Sequence, residues 1–209
     1  MAGVTLKKPK KSYKILLTPI KNNNFTIIGG EYRGRKFSFP DVDTLRPSPG
    51  KVRETLFNWL QFETQGKTFL DLFSGSGALS FEALSRGAKQ VTSVEKNTNA
   101  VHFLKQNKQL LKTDNLAIFK QDAFAFLNKK PKIPFDLILL DPPFNKNYLA
   151  NALKLISKND FIAIGGKIYI ESEFEITMKF LKTHYLTKTN LSKQKKSGAV
   201  HYCLVETFI

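Results

Sequence analysis

Four consecutive residues, Asp141, Pro142, Pro143 and Phe144, stand directly after the apolar run Phe135–Leu140. The two prolines fix the backbone and carry no N–H, so this corner offers carbonyl acceptors and a carboxylate beside an aromatic ring. Such a corner suits a flat amine. An exocyclic amine on a nucleobase is a poor nucleophile, because its lone pair is delocalised into the ring. Accepting its hydrogens on Asp141 and on the Pro142 carbonyl, with Phe144 stacked on the base, would localise that lone pair toward an electrophile. The competing reading is a rigid loop that packs a phenylalanine.

A second constellation runs from Asp71 through Phe73, Gly75 and Gly77, ending one strand-like run and opening a helical one. In an open α/β sheet a ligand lies beyond the carboxyl ends of the strands, where the strand order reverses. The dinucleotide fingerprint has a third Gly or Ala where this chain has Ser80. Asp71 would sit poorly against a pyrophosphate and well against an amine-bearing ligand. Glu95, at the end of the next strand, has the position and chemistry to accept bonds from ribose hydroxyls. Asp122, after the third strand, can receive an adenine amine. Each acid alone could equally cap a helix or close a turn; three at successive strand ends favour a cofactor site.

These residues need a frame of alternating elements. Short apolar runs at 68–71, 90–95, 116–120, 135–140 and 167–170 read as buried strands, with helices near 77–86, 97–111, 122–128, 147–157 and 173–183. That alternation is the pattern of a parallel sheet covered on both faces. Two further strand-like stretches, 184–191 and 200–208, are joined through a basic turn at 193–198 and permit one antiparallel strand. Gly165 and Gly166 read as a turn before a strand. Ahead of this frame, 25–28, the pair Gly29 and Gly30, and 31–39 suggest a small hairpin. With Ser48 as N-cap and Pro49 as first helical residue, the apolar spacing predicts a helix over 49–63. The chain divides into a basic tail (1–24), a hairpin-and-helix extension (25–65), which the charge pattern below turns toward RNA, and the α/β domain (66–209).

The charge balance identifies the partner class. Among 209 residues, 33 Lys and Arg against 17 Asp and Glu leave a formal charge of +16. A polyanion is the expected partner, because neutralising phosphates releases condensed counterions. Four of the five arginines, Arg33, Arg35, Arg46 and Arg53, cluster ahead of the α/β domain. Guanidinium forks suit bidentate phosphate contacts, although the same residues could simply cover a strand and a helix. In an extended 31–39 stretch, Arg33 and Arg35 share a face with Phe37 and Phe39, an arrangement suited to RNA.

These motifs, with Ile28 to Lys36, Leu45 to Pro47, Val52 to Leu60, Gly75 to Leu79 and Glu82 to Gly87, resemble the RsmD family. Its members are class I S-adenosylmethionine-dependent methyltransferases that act on N2 of a guanine in bacterial small-subunit ribosomal RNA. The resemblance covers about residue 26 to the end. It implies a Rossmann-like α/β fold: a seven-strand sheet, mostly parallel with one antiparallel strand, plus the N-terminal hairpin and helix. It further implies that Asp71, Phe73, Gly75 and Gly77 hold the methionine part of S-adenosylmethionine, Glu95 the ribose, and Asp122 with Ala123 the adenine. Asp141, Pro142, Pro143 and Phe144 would hold the target guanine. Arg33, Arg35, Lys36, Arg46 and Arg53 would close over the site and grip RNA. Ser48, Pro49 and Gly50 replace the Thr-containing, acid-bearing turn common in the family, and Ser74 and Ser80 stand where Ala and Gly are usual.

Two other readings compete: an adenine-N6 DNA methyltransferase, which usually carries a separate target-recognition region, and a non-catalytic RNA-binding assembly protein with a decayed site. His102, His184 and His201 are too scattered to suggest a metal, and no metal is expected. The single cysteine, Cys203, excludes an internal disulfide and reads as a small buried side chain. No apolar run approaches the ~18 residues of a membrane-spanning helix. The expectation is a cytoplasmic monomer acting on ribosomal RNA, within an assembling small subunit.

Overall fold

A computed structural model describes residues 22–41, 45–185 and 188–208. Residues 1–21 of the expected basic tail lie outside the described residues. Asn22–Thr26, however, form β1, which pairs antiparallel with β2 (Lys36–Pro40), so the hairpin begins earlier than its apolar residues suggest.

The chain between these strands departs from the expected Gly29-Gly30 turn. Glu31 N donates to Ser85 O at 2.7 Å and Tyr32 N to Ser85 Oγ at 2.9 Å. A Cβ on Gly30 would stand 1.8 Å from the Ser85 carbonyl oxygen, so only glycine permits this approach. Residues 31–34 therefore form turns, and Arg33 is not in a strand. Phe37 and Phe39 turn inward, with Phe37 4.8 Å from the Phe81 ring. Apolar burial thus separates these phenylalanines from the exposed Arg33 and Arg35, and they offer RNA no stacking face.

Helix α1 spans Gly50–Trp59, shorter than expected at both ends, with Pro49 rather than Ser48 at the N-cap position. Alternation then follows: β3 (Thr68–Asp71), α2 (Ala78–Ser85), β4 (Gln90–Glu95), α3 (Thr98–Leu111), β5 (Leu116–Lys120), α4 (Ala123–Leu127), β6 (Phe135–Leu140), α5 (Tyr148–Lys158), β7 (Ile162–Ser172), α6 (Met178–His184), β8 (Thr189–Ser197) and β9 (Val200–Thr207). The strands form one seven-stranded sheet in the order β5-β4-β3-β6-β7-β9-β8. Only β9 runs against its neighbours in this sheet.

Two expected turns prove to be strand. Gly165 and Gly166 sit within β7 at an irregularity opposite Phe135 and Leu137, where a Cβ on Gly166 would meet the Asp136 carbonyl at 2.8 Å. Lys193, Lys195 and Lys196 lie in edge strand β8, and the reversal comes at Gly198. Charged side chains on an edge discourage pairing with another chain.

Successive strand residues feed opposite cores. Phe69, Leu137, Leu139, Tyr169 and Leu204 pack with α1, α2, α3 and the hairpin. Leu70, Ile138, Leu140, Ile170, Val205 and Cys203 pack with α4, α5 and α6. Cys203 is fully buried, as expected, and burial pushes its thiol up to about 12.

Candidate active site

The chain leaves β3 toward β4 and later returns to β6 on the other side, so the sheet reverses order between β3 and β6. Loops beyond the carboxyl ends of these strands form the crevice where open α/β sheets bind ligands.

On the cofactor side, Gly75 and Gly77 have φ of 49° and 80°. A Cβ on Gly77 would fall 2.3 Å from Leu104 Cδ2, so close packing of the loop on α3 requires glycine there. Glu95 ties two loops together, accepting from Gly75 N at 2.8 Å and Asn97 N at 2.7 Å. Asp71 is buried and accepts from Ser80 Oγ at 2.6 Å; Ser80 Oγ also lies 2.6 Å from Ser93 Oγ. Ser80 therefore anchors the acid. Burial pushes the Asp71 carboxyl up to about 7 despite the Ser80 bond, and the charges of Asp141 and Glu95 add to the rise.

Asp122 caps α4, its Oδ1 accepting from Phe124 N at 2.9 Å and Ala125 N at 3.2 Å. Capping and adenine recognition are compatible roles for one exposed carboxylate. Ala123 begins α4 and is buried. Phe73 stacks with Tyr148 at 6.1 Å, and Phe124 meets Tyr148 edge-on at 5.0 Å. Acids able to take an ammonium, ribose hydroxyls and an amine thus stand beside an aromatic wall. This donor chemistry fits S-adenosylmethionine.

On the acceptor side, Asp141 leaves the end of β6, Pro142 is buried, Pro143 is exposed and Phe144 is half-buried. The loop is held by Asn145 N donating to Glu173 Oε1 at 2.8 Å. Burial pushes the Asp141 carboxyl up to about 6, with the Ser48 hydroxyl, 3.2 Å from Oδ2, holding it back. Glu171, on the neighbouring strand, is almost fully buried. Burial first, then the adjacent Asp141, push its carboxyl to about 8 against the hydrogen bonds of Ser48 and Tyr169.

The expected RNA-binding residues do not gather over this crevice. Helix α2 starts at the glycine loop and ends at Ser85, roughly 12 Å away at 1.5 Å per residue, and residues 29–32 dock at that far end. Arg33 and Arg35 are exposed beside that docking point, Arg35 lying over the Tyr32 ring, while Lys36, also exposed, opens β2 opposite Thr26. Arg53 is not on the surface at all. Its guanidinium bonds Ser48 O at 3.2 Å, Thr26 O at 3.1 Å and Glu82 Oε2 at 3.4 Å, making it an internal tie. Arg46 is the exposed member placed at the crevice: its neighbour Leu45 reaches within 3.3 Å of where a Gly75 Cβ would stand, and Ser48 touches Asp141.

The sequence alone assigns no site role to Glu171, Tyr148 or Phe124, and gives Ser48 a cap it does not make. Position relative to the strand ends is the available signal: Glu171 lies at the end of β7 as Asp141 follows β6, and Tyr148 opens α5.

Residues 25–206 match the family model described as conserved hypothetical protein 95. The ribosomal RNA small subunit methyltransferase D of Escherichia coli strain K12 is 38% identical over 180 residues, covering 86% of this chain and 88% of that protein. Its namesake in Haemophilus influenzae is 37% identical over 198 residues, covering 92% and 99%. Among solved structures, yhhF of Escherichia coli superposes with a TM-score of 0.79 at 36% identity, covering 89% of this chain and 99% of that one.

Proposed function

The chain belongs to the RsmD family, and on that premise we propose that it methylates the exocyclic N2 of a guanine in small-subunit ribosomal RNA, using S-adenosylmethionine. The observation that carries this reading is the placement of Asp141 and Pro142 at the carboxyl end of β6, directly beside β3, whose end carries Asp71.

S-adenosylmethionine, when bound, supplies an electrophilic methyl on a sulfonium whose loss leaves S-adenosylhomocysteine. Asp71, with Phe73, Gly75 and Gly77, receives the amino-acid end, Glu95 the ribose, and Asp122 with Ala123 the adenine. Asp141 and the Pro142 carbonyl accept the two hydrogens of the guanine amine, Pro143 stiffens the corner and Phe144 stacks on the base. As N2 gains the methyl it must lose a proton, and the ionised Asp141 is placed to take it.

RNA would reach this end of the sheet over Arg46, Lys96, Lys146 and the end of β8, where Lys195 and Lys196 pair with Tyr202 and His201 at the level of Glu171 and Ser172. These lysines and Arg46 are exposed. We take the working form as a cytoplasmic monomer and the substrate as an assembling subunit, since specific recognition of an RNA base needs it unstacked and held out. Among the described residues no helix is long and apolar enough to cross a membrane.

Mass-spectrometric mapping of ribosomal RNA nucleosides from cells with and without the protein tests the reading. One N2-methylguanosine should disappear from the small-subunit RNA and return when purified protein and S-adenosylmethionine are added to particles. N6-methyladenine lost from DNA instead would replace the proposal.

A further inference from the structure

We infer that Ser48 and Glu171 are positioning residues for Asp141, so that the segment ahead of α1 completes the acceptor corner through a hydrogen-bonded chain Tyr169–Glu171–Ser48–Asp141. This rests on the reading of Asp141 as the partner of the acceptor amine.

The geometry comes from three elements. Strands β6 and β7 are parallel with Leu140 opposite Ile170, so the next residues along, Asp141 and Glu171, emerge side by side. From α1's leading segment, Ser48 places its Oγ 3.2 Å from Asp141 Oδ2 and within hydrogen-bonding reach of Glu171. From within β7, the fully buried Tyr169 sets its hydroxyl 3.0 Å from Glu171 Oε1.

Hydrogen counting then decides the protonation pattern. Ser48 has one hydroxyl hydrogen, which cannot serve two carboxylates at once. If Glu171 and Asp141 were both ionised, two anions would crowd one buried corner with Asp71 nearby as a third, and with Tyr169 serving Oε1 and the Ser48 hydrogen spent on Asp141, the second oxygen of Glu171 would lack a donor. A protonated Glu171 resolves this. Its carboxylic O–H donates to Ser48 Oγ, the Ser48 O–H donates to Asp141 Oδ2, and the Tyr169 O–H donates to Glu171 Oε1. Every hydrogen has an acceptor, and Asp141 is the single anion of the pair.

Other titratable groups around the pair are Asp71 from β3, Tyr202 opposite Glu171 on β9, and Lys146 and Glu173 at the rim of the adjoining cavity. Burial holds the Tyr169 hydroxyl well above its ordinary value, so it stays a neutral donor and does not substitute for the proton on Glu171. The Ser48 bond occupies Oδ2 of Asp141 and reserves Oδ1 for the amine. A methyl-bearing serine relative, threonine, could make the same bond.

Carboxyl titration by 13C NMR on the free protein tests the chain without turnover. Beside the Asp71 step, wild type should show two coupled steps for the Asp141–Glu171 pair, both above the ordinary carboxylate range. Glu171→Gln should remove the upper step. Ser48→Ala should raise the lower one, because the hydrogen bond to the ionised form is gone, and Ser48→Thr should restore it. In assays on ribosomal RNA, Ser48→Ala should lower kcat about tenfold at pH 7, leave KM for S-adenosylmethionine within about twofold, and move the acid limb of kcat upward; Ser48→Thr should recover all three. Titration steps unmoved by Ser48→Ala, or an acid limb that stays in place while kcat falls, would overturn the positioning role. If the NMR steps behave as described but wild-type protein methylates no guanine, the proposed reaction fails and the linked side chains stand.

Discussion

Nη1 of Arg53 stands 3.4 Å from Oε2 of Glu82, and both side chains are shut away from solvent. Glu82 also accepts from Ile28 N at 3.0 Å, Gly29 N at 2.9 Å and Arg86 Nε at 2.9 Å. One carboxylate on α2 thereby fastens the hairpin connection and α1 to the sheet domain, and Phe25 packs under the guanidinium at 5.6 Å.

Removing one partner of such a buried pair leaves the other uncompensated, a loss of about 3–5 kcal/mol. Arg53→Ala and Glu82→Ala should each lower the urea midpoint by a corresponding amount. Because Arg53 is internal, the salt dependence of RNA binding by the folded Arg53→Ala protein should match wild type. A flatter salt slope in that variant would return Arg53 to the RNA surface.

What the sequence reveals of this protein follows from which signals are local. Strand-to-helix alternation is written in apolar period and glycine placement, and β3 through α5 appear close to where composition puts them. The acids at 71, 95, 122 and 141 are legible because strand ends are legible. Arg53 is illegible as an internal tie because a helical arginine gives no sign of which face meets a buried Glu82. Arg33 and Arg35 lie away from their expected place because docking of Gly30 on Ser85 joins segments 55 residues apart. Glu171 is silent for a similar reason: an acid inside an apolar strand acquires meaning only when β6 and β7 pair and set it beside Asp141.

Asp71 offers a pH-dependent test of the cofactor side. In the free protein burial holds its carboxyl at about 7, so between about pH 5 and 7 much of it is protonated. An ammonium bound against it favours the anion and lowers that value. Binding of S-adenosylmethionine at pH 6.5 should therefore release protons, and at pH 9, where Asp71 is already ionised, this contribution should vanish. Calorimetric titration in buffers of different ionisation enthalpy measures the release directly. Asp71→Asn should abolish it, and equal proton release by this variant would place the ammonium elsewhere.

For Asp141 the expected signature is kinetic. Asp141→Ala removes the acceptor of the amine hydrogens but leaves the loops that follow β3, β4 and β5 untouched. Turnover should fall by at least about two to four orders of magnitude, the range for loss of a positioned proton acceptor, while the Kd for S-adenosylmethionine stays within a few-fold. Near-normal turnover would reduce Asp141 to a structural corner of the proline loop.

The two ends of the sheet carry positive charge, and they should behave differently toward RNA. Arg46 sits between Leu45 over the glycine loop and Ser48 on Asp141, and Lys146 borders the acceptor cavity. Arg33 and Arg35 lie by the turn that docks at the far end of α2. Groups near the reacting base orient it, whereas remote phosphate interactions add affinity that is equal in ground and transition states. Arg46→Ala and Lys146→Ala should therefore lower kcat as well as RNA affinity. The Arg33→Ala, Arg35→Ala double variant should raise KM for RNA with kcat unchanged at saturation. At either end, each cation removed from a phosphate should flatten the log–log salt slope by ~0.7–0.9. If the far-end pair lowers kcat while Arg46→Ala does not, the RNA path runs over the hairpin loop instead of the strand ends.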